Sequence, residues 1–145
     1  MTNSTVHWVC VDASFVVPLV TRPHGDSPFP RLWKEWHAAG LRTAAPTLLC
    51  YEVTNALHRY VVHGELLPDE AVAALEVALD LGITWFGDSE LHQRALQIAQ
   101  EQSLPAVYDA HYLALAERLG AELWTSDRRL CQAVGATMPL LRLAE

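Results

Sequence analysis

The chain has 145 residues, of which 51% are hydrophobic and 19% are charged, with 7 Gly and 8 Pro. This composition is typical of a compact globular domain and excludes a disordered or fibrous chain, so we expect residues 1–145 to form a single domain. Ten Lys and Arg against 17 Asp and Glu give a net charge of −7, which disfavours nucleic-acid binding unless cations neutralise the acidic residues locally.

The cysteines indicate the compartment. Cys10, Cys50 and Cys131 are odd in number and form no C-x-x-C pair, which argues against a disulfide framework or a thiolate zinc site and favours a reducing compartment. The first residues carry no basic segment, and Asp12 interrupts the apolar stretch 6–20, so neither a signal peptide nor a membrane span is expected. We therefore expect a cytoplasmic protein.

The first predicted element is a strand over residues 6–11, a nearly continuous apolar run that ends at Asp12. Residues 21–30 are dense in turn-forming residues and predict a loop. Helical periodicity and glycine or proline stops place the remaining elements. Expected helices cover residues 31–39, 47–63, 68–81, 89–101, 106–119 and 127–134, and expected strands cover 41–45, 83–86, 122–125 and 138–142, the last at an edge.

This alternation of strands and helices predicts an α/β fold. Right-handed crossovers then give a parallel sheet that is covered by helices on both faces. In such folds the ligand binds beyond the carboxyl ends of the strands. Polar residues that follow a strand are therefore the first candidates for a functional site.

Four acidic residues are expected at this edge. Asp12 ends the first strand, and Asp127 follows the strand at 122–125. Asp109 begins the helix before that strand, and because the descent of the helix roughly equals the rise of the strand, the chain returns to the same edge. Glu52 lies near the start of the helix after the second strand, and its side chain leans toward the helix N-terminus. The four carboxylates are therefore expected to converge.

Such a cluster requires cations, because neighbouring carboxylates repel and raise one another's pKa. Oxygen ligands select Mg²⁺ or Mn²⁺ rather than zinc. Two such ions promote in-line displacement at phosphorus, and they would also offset part of the net charge of −7. The pattern predicts a two-ion site in which the same four residues are metal ligands and catalytic residues: Asp12, Glu52, Asp109 and Asp127.

Most of these acidic residues also have a purely structural interpretation. Asp127 suits a helix N-cap, and Asp109 suits a first helical turn. Glu52 aligns with Asn55 and Arg59 in a stripe that solvent alone could explain. Asp12 is harder to explain in this way, because a charge that ends a doubly buried strand is rarely only structural.

Three segments resemble a known family. They are V-D-A-S-F (11–15), Y-E-V-T-N-A-L (51–57) and Y-D-A-H-Y-L-A-L-A-E-R-L-G-A-E-L-W-T-S-D-R-R-L (108–130). In this order they resemble PIN-domain ribonucleases, specifically the small VapC-type toxins of type II toxin–antitoxin pairs. The resemblance spans essentially the whole chain, and the last segment is the most specific.

This resemblance implies a three-layer α/β/α fold with a central parallel sheet of four to five strands. It implies Mg²⁺- or Mn²⁺-dependent endonucleolytic cleavage of RNA, frequent homodimerisation, and inhibition by a cognate antitoxin protein. The acidic quartet of the family falls on the four acidic residues named above. Its supporting polar positions fall on Ser14, Asn55 and Thr125.

Two further pairs of residues are candidates for contacts with substrate or partner. Arg128 and Arg129 follow the last acidic residue at a helix start, where positive charge is disfavoured. This position suggests phosphate contact, although a solvated pair is the simpler interpretation. Trp33 and Trp36 have the spacing of one helix face, so they either pack into the core or form a groove for an antitoxin helix.

Other functions remain as alternatives. A phosphoryl-aspartate phosphatase would need a second Asp at the position of Ser14, and a receiver domain would need a late lysine, whereas Lys34 is the only lysine. A non-catalytic module that binds RNA or a partner, and a structure-specific DNA nuclease, are the other two readings.

Overall fold

The computed structural model describes residues 5–22 and 27–145. Its centre is a parallel sheet, and each strand is bonded to its neighbours in the spatial order third, second, first, fourth, fifth. In chain order the strands are β1 (Trp8–Val11), β2 (Arg42–Pro46), β3 (Thr84–Phe86), β4 (Glu122–Thr125) and β5 (Leu141–Leu143). The first strand therefore lies in the middle of the sheet, where the strand order reverses.

Helices cover the sheet on both faces. In chain order they are α1 (Ala13–Thr21), α2 (Pro28–Ala38), α3 (Leu48–Val62), α4 (Pro68–Leu79), α5 (Ser89–Glu101), α6 (Tyr108–Leu119) and α7 (Arg128–Val134). Helix α1 packs against α2, α3 and α4, whereas α5 and α6 pack as a pair and α6 crosses β1, β2 and β4. Because Val9, Cys10 and Val11 are at most 2% exposed, β1 is buried on both faces. The predicted three-layer α/β/α architecture is confirmed, with five strands.

The sequence prediction missed α1. Pro18 lies inside this helix, and the β-branched residues around it favour extended structure, so local propensity argued against a helix. Packing overrides that propensity, because the apolar side of the helix is buried in the core at Phe15, Val16, Val17 and Leu19.

The predicted loop at residues 21–30 is partly wrong. Helix α2 begins within it, at Pro28, because Ser27 accepts a hydrogen bond from the backbone N–H of Phe29 and a proline suits the first helical turn. Residues 23–26 of that prediction lie outside the described residues.

The two tryptophans of α2 differ in their surroundings. Trp36 is only 7% exposed and stacks on Phe15, with ring centroids 5.0 Å apart. Trp33 is half-buried and meets the edge of Trp36 at 6.1 Å. Trp36 therefore belongs to the core rather than to a partner surface.

The remaining predicted elements are present with shifts of a few residues. The predicted edge strand at 138–142 begins three residues later in the structure, where β5 covers Leu141–Leu143. Over residues 5–22 and 27–145, no helix is long and apolar enough to cross a membrane.

Candidate active site

Two acidic residues occupy equivalent places after neighbouring strands. Asp12 directly follows β1 and caps α1, and Asp127 follows β4 and caps α7. The two strands pair in parallel with Val11 opposite Trp124, so their carboxyl ends lie side by side. Both carboxylates use Oδ1 for the cap, Asp12 to Phe15 N–H at 3.2 Å and Asp127 to Arg129 N–H at 2.9 Å. Capping therefore fixes both side chains at the edge of the sheet.

Asp109 and Glu52 complete the cluster. Asp109 is the second residue of α6 and is exposed as a whole residue, and its charge raises the pKa of both Asp12 and Glu52. Asp127 in turn raises the pKa of Asp109. These mutual effects on pKa put the charges of the four acidic residues within electrostatic reach of one another, and the joint site that the sequence predicts stays a prediction.

Burial is the largest influence on these pKa values. It raises the pKa of Asp12 to about 6, against the opposing hydrogen bonds from Ser14 and the backbone N–H of Phe15. Burial also raises the pKa of Glu52 and of Asp109. Without a cation, the protein therefore holds these groups in an environment that disfavours their charge.

A directional chain of hydroxyl groups supports Asp12. Ser14 Oγ donates its only proton to Asp12 Oδ1 at 2.6 Å, so in the 3.1 Å contact between the hydroxyls of Ser14 and Thr125, Thr125 must be the donor. Thr125 Oγ1 then accepts from the backbone N–H of Asp127 at 3.0 Å. In each of these hydrogen bonds the donor is the residue farther from Asp12. The chain therefore stabilises the ionised form of Asp12, and it connects the end of β4 to the end of β1.

Ser126 makes two hydrogen bonds to Ser14 that sequence reasoning missed. Because Pro18 has no N–H, the carbonyl of Ser14 lacks its usual helical donor four residues later. Ser126 Oγ donates to this carbonyl at 2.9 Å, and Ser126 N–H donates to Ser14 Oγ at 2.8 Å. The proline that obscured α1 in the sequence thus leaves an acceptor that anchors the loop before Asp127.

Tyr112 is the second residue that sequence reasoning missed. Its hydroxyl donates to Glu52 Oε1 at 2.5 Å, and its side chain is almost completely buried, at 1% exposed. The charges of Glu52, Asp12 and Asp109 raise the pKa of the tyrosine, in addition to its burial. The signal in the sequence was its position three residues after Asp109, on the helix face that points toward the acidic residues.

In the described part of the chain, the side chains of three predicted residues make no hydrogen bond or ion pair with the four acidic residues. Asn55 is exposed on α3, and among the described residues its side chain makes no hydrogen bond to the cluster. Arg128 pairs with Glu145 at 3.0 Å on the surface, and Arg129 is exposed in the first turn of α7. Their predicted contacts with substrate stay predictions.

The donor set fits a hard divalent cation by its chemistry. It offers four carboxylates, and none of the ion pairs formed within residues 5–22 and 27–145 involves them. As the side chains stand in that part of the chain, no three His, Cys, Asp or Glu residues are grouped closely enough to hold one ion. Binding of an ion therefore requires the carboxylates to draw together.

The fold and the site define a parallel α/β protein that gathers carboxylates beyond the ends of its central strands. A model of the PIN domain family matches residues 9–135, a range that includes all four acidic residues. The chain belongs to the PIN domain family.

Known relatives agree with this assignment. The chain is 33% identical over 128 residues to ribonuclease VapC12 of Mycobacterium tuberculosis. This alignment covers 88% of this chain and 92% of the relative. It is 36% identical over 87 residues to ribonuclease VapC3 of Pyrobaculum aerophilum, which covers 59% of this chain and 66% of that protein, slightly less than two thirds of its length. The resemblance to VapC proteins predicted from the three motifs is confirmed.

Solved structures show the same fold. The crystal structure of PAE2754 from Pyrobaculum aerophilum has a TM-score of 0.66 at 28% identity, over 89% of this chain and 80% of that one. VapBC2 from Rickettsia felis, crystallised with a DNA fragment from its promoter, has a TM-score of 0.70 at 12% identity, over 95% of this chain and 99% of that one. At that identity the second match is a likeness of fold.

Proposed function

We propose that the protein is a Mg²⁺- or Mn²⁺-dependent endoribonuclease and the toxin of a type II toxin–antitoxin pair, acting in the cytoplasm. The observation that carries this proposal is the set of four carboxylates at one sheet edge, three of them with a raised pKa and none of them in the ion pairs of the described residues. Family membership and the ribonuclease relatives support RNA as the substrate. The free state of Cys10, Cys50 and Cys131 supports a reducing compartment.

The proposed ligands of two ions are Asp12, Glu52, Asp109 and Asp127. When bound, such ions supply an activated water and stabilise the leaving oxygen during in-line displacement at phosphorus. Binding of such cations would also offset the repulsion between these carboxylates.

The other residues of the site hold these carboxylates in place. The hydroxyls of Ser14 and Thr125 partly oppose the effect of burial on Asp12 and help to fix its orientation, which leaves Oδ2 for a cation. Tyr112 fixes Oε1 of Glu52 in the same way. The backbone caps at Asp12 and Asp127 prevent either side chain from turning toward solvent. This positioning is the protein's contribution to catalysis.

The proposed partners follow from the charge of the site. An antitoxin that inhibits the enzyme would place a basic residue, most simply an arginine, among the four carboxylates and so compete with the metal ions. Arg128 and Arg129 are the proposed contacts for RNA phosphates, since both are exposed in the turn that follows Asp127. The proposed assembly is a homodimer, which light scattering on the purified protein would test.

The function is tested by incubating the purified protein with a single-stranded RNA pool in Mg²⁺, in Mn²⁺ and in chelator. We expect internal cleavage with either ion and none in chelator. Single-stranded DNA and a flap DNA are the matched substrates for the DNA-nuclease alternative. Cleavage of the flap but not of the RNA, or RNA binding with no cleavage under any metal condition, would contradict the proposal.

A further inference from the structure

A groove lies beside the acidic cluster, between α1 and α3. One wall contains Pro18 of α1 and Arg22, the residue that follows α1. The other walls contain Ala56 and Tyr60 of α3 and Phe29 of α2. Its volume is about 420 Å³, within the ~300–1,000 Å³ of pockets that hold small ligands. We call it the α1–α3 groove.

One end of the α1–α3 groove opens at the acidic cluster. Ser14 and Ser126 line that end, and they are the residues that hold Asp12 and flank Asp127. Along α3, Ala56 and Tyr60 lie one and two turns after Glu52, so the groove extends to a level ~12 Å along the helix axis from the backbone of that residue. A nucleic-acid strand with a phosphate at the cluster would therefore place its adjoining nucleoside at the groove.

The chemistry of the walls suits a nucleobase better than a phosphate. Val17, Pro18 and Ala56 are apolar, and the rings of Phe29 and Tyr60 give flat surfaces. The ring of Phe29 is held by an edge contact with Phe15, with centroids 5.1 Å apart. Proteins bind unpaired RNA bases largely by stacking on such rings, and stacking does not depend on net positive charge, which this chain of charge −7 lacks.

Arg22 is the cationic residue of the groove, beyond the end of α1. A guanidinium pairs best with the two neighbouring acceptors O6 and N7 of guanine. An arginine at the far end of an apolar groove therefore adds selectivity to an otherwise base-tolerant pocket.

We propose that the α1–α3 groove is a nucleobase-binding site, which takes the unpaired base next to the scissile phosphate and through Arg22 favours guanine. This proposal rests on the proposed ribonuclease function. It identifies Tyr60 and Arg22 as specificity-determining residues outside the acidic cluster.

The test compares cleavage-site profiles on a randomised single-stranded RNA pool. For the parent we expect enrichment of guanine at one position next to the cut, and for Arg22→Ala a loss of that enrichment with the cut still made. Tyr60→Ala is expected to raise KM about tenfold with little change in kcat, and Tyr60→Phe to restore the parent value, because the ring is what stacks. Arg59→Ala, in the same turn as Tyr60 but outside the groove, removes the same charge and is the control.

The possible outcomes separate the two proposals. If the parent cleaves no RNA, the ribonuclease function itself is wrong. If the parent cleaves RNA and the profiles and KM values of Arg22→Ala and Tyr60→Ala match the parent, the groove does not bind a base, and a protein partner becomes its occupant. Equal changes in Arg22→Ala and Arg59→Ala would show general electrostatics and would also overturn the proposal. Thermal unfolding of each variant confirms that it is folded.

Discussion

Acidic residues have opposite surroundings at two places in this molecule. On the surface between α5 and α6, Asp88 accepts two hydrogen bonds from Arg118 at 2.8 and 2.9 Å, and Glu117 accepts two from Arg94 at 2.7 and 2.8 Å. These arginines lower the pKa of both carboxyl groups. At the carboxyl edge of the sheet the pKa values of Asp12, Glu52 and Asp109 are raised instead.

This difference separates acidic residues that hold helices together from acidic residues that await a ligand. A surface carboxylate with an arginine has its charge compensated within the fold, and the pair ties α5 to α6 at modest gain. The edge carboxylates raise one another's pKa, which costs stability, and none of the ion pairs within residues 5–22 and 27–145 compensates them. An external cation is the simplest compensation for such an arrangement.

The largest expected effect tests whether the edge carboxylates are functional. Asp12→Asn retains the size and the accepting oxygen of the side chain but removes its charge, so metal-dependent RNA cleavage should fall by at least about 100-fold. Asp80→Asn, an exposed residue at the end of α4, is the matched control and should cleave like the parent. Equal cleavage by both variants in a gel assay would remove the site assignment.

The second prediction concerns pH and the metal-free protein. The pKa of Asp12 is raised to about 6, so the folded state holds this proton more tightly than the unfolded state, and stability falls as the pH rises from about 4 through 6. The loss from Asp12 alone amounts to at most about 3 kcal/mol. The raised pKa values of Glu52 and Asp109 act in the same direction.

Denaturant unfolding in chelator at pH 5 and pH 7.5 measures this effect. The protein should be less stable at pH 7.5, and Mn²⁺ should restore stability there but act weakly at pH 5, where protons compete for the ligands. A metal-free protein that is equally stable at both pH values would mean that folding does not raise the pKa of these carboxyl groups.

The third prediction tests the support of Glu52. Tyr112→Phe keeps the buried ring and removes the hydroxyl that donates to Glu52 Oε1, so Glu52 is less well oriented and its pKa rises further. Cleavage should fall about tenfold, and the pH of half-maximal activity should shift upward, because the carboxylate ionises later. Tyr108→Phe, which alters an exposed tyrosine one turn earlier on α6, should leave both quantities unchanged.

Much of this arrangement was predictable from the sequence, because the position of a residue after a strand fixes its height in a parallel sheet. Asp12 and Asp127 were placed correctly for that reason, and the helix and strand between Asp109 and Asp127 return the chain to the same edge as expected. The shared edge of Asp12 and Asp127 thus follows from connectivity and element lengths, and a joint site of all four acidic residues stays a prediction.

The sequence did not indicate the residues that depend on packing between elements. Helix α1 was hidden by Pro18, whose effect on Ser14 matters only because Ser126 lies opposite it in the folded chain. Tyr112 was not singled out, because its bond to Glu52 joins residues that are 60 positions apart. The α1–α3 groove likewise exists only where three helices meet.

The smallest expected effect compares the sheet edge with the surface between α5 and α6 most directly. Replacing one Asp by Asn should raise the melting temperature at the edge and lower it at the surface. Asp109→Asn removes a charge that raises the pKa of its neighbours, so in chelator near pH 7.5 it should raise the melting temperature by a few degrees, at about 2–4 °C per kcal/mol for a chain of this size. Asp88→Asn removes the partner of Arg118 and should lower it.

Metal ions complete the test. Mn²⁺ should raise the melting temperature of the parent and of Asp88→Asn by similar amounts, and it should raise that of Asp109→Asn by less, because one ligand has lost its charge. If Asp109→Asn instead melts well below the parent in chelator and keeps the full shift with Mn²⁺, then Asp109 stabilises the start of α6 through the helix dipole alone. In that case Asp109, like Asp88, would stabilise the fold and would not be a ligand of a cation.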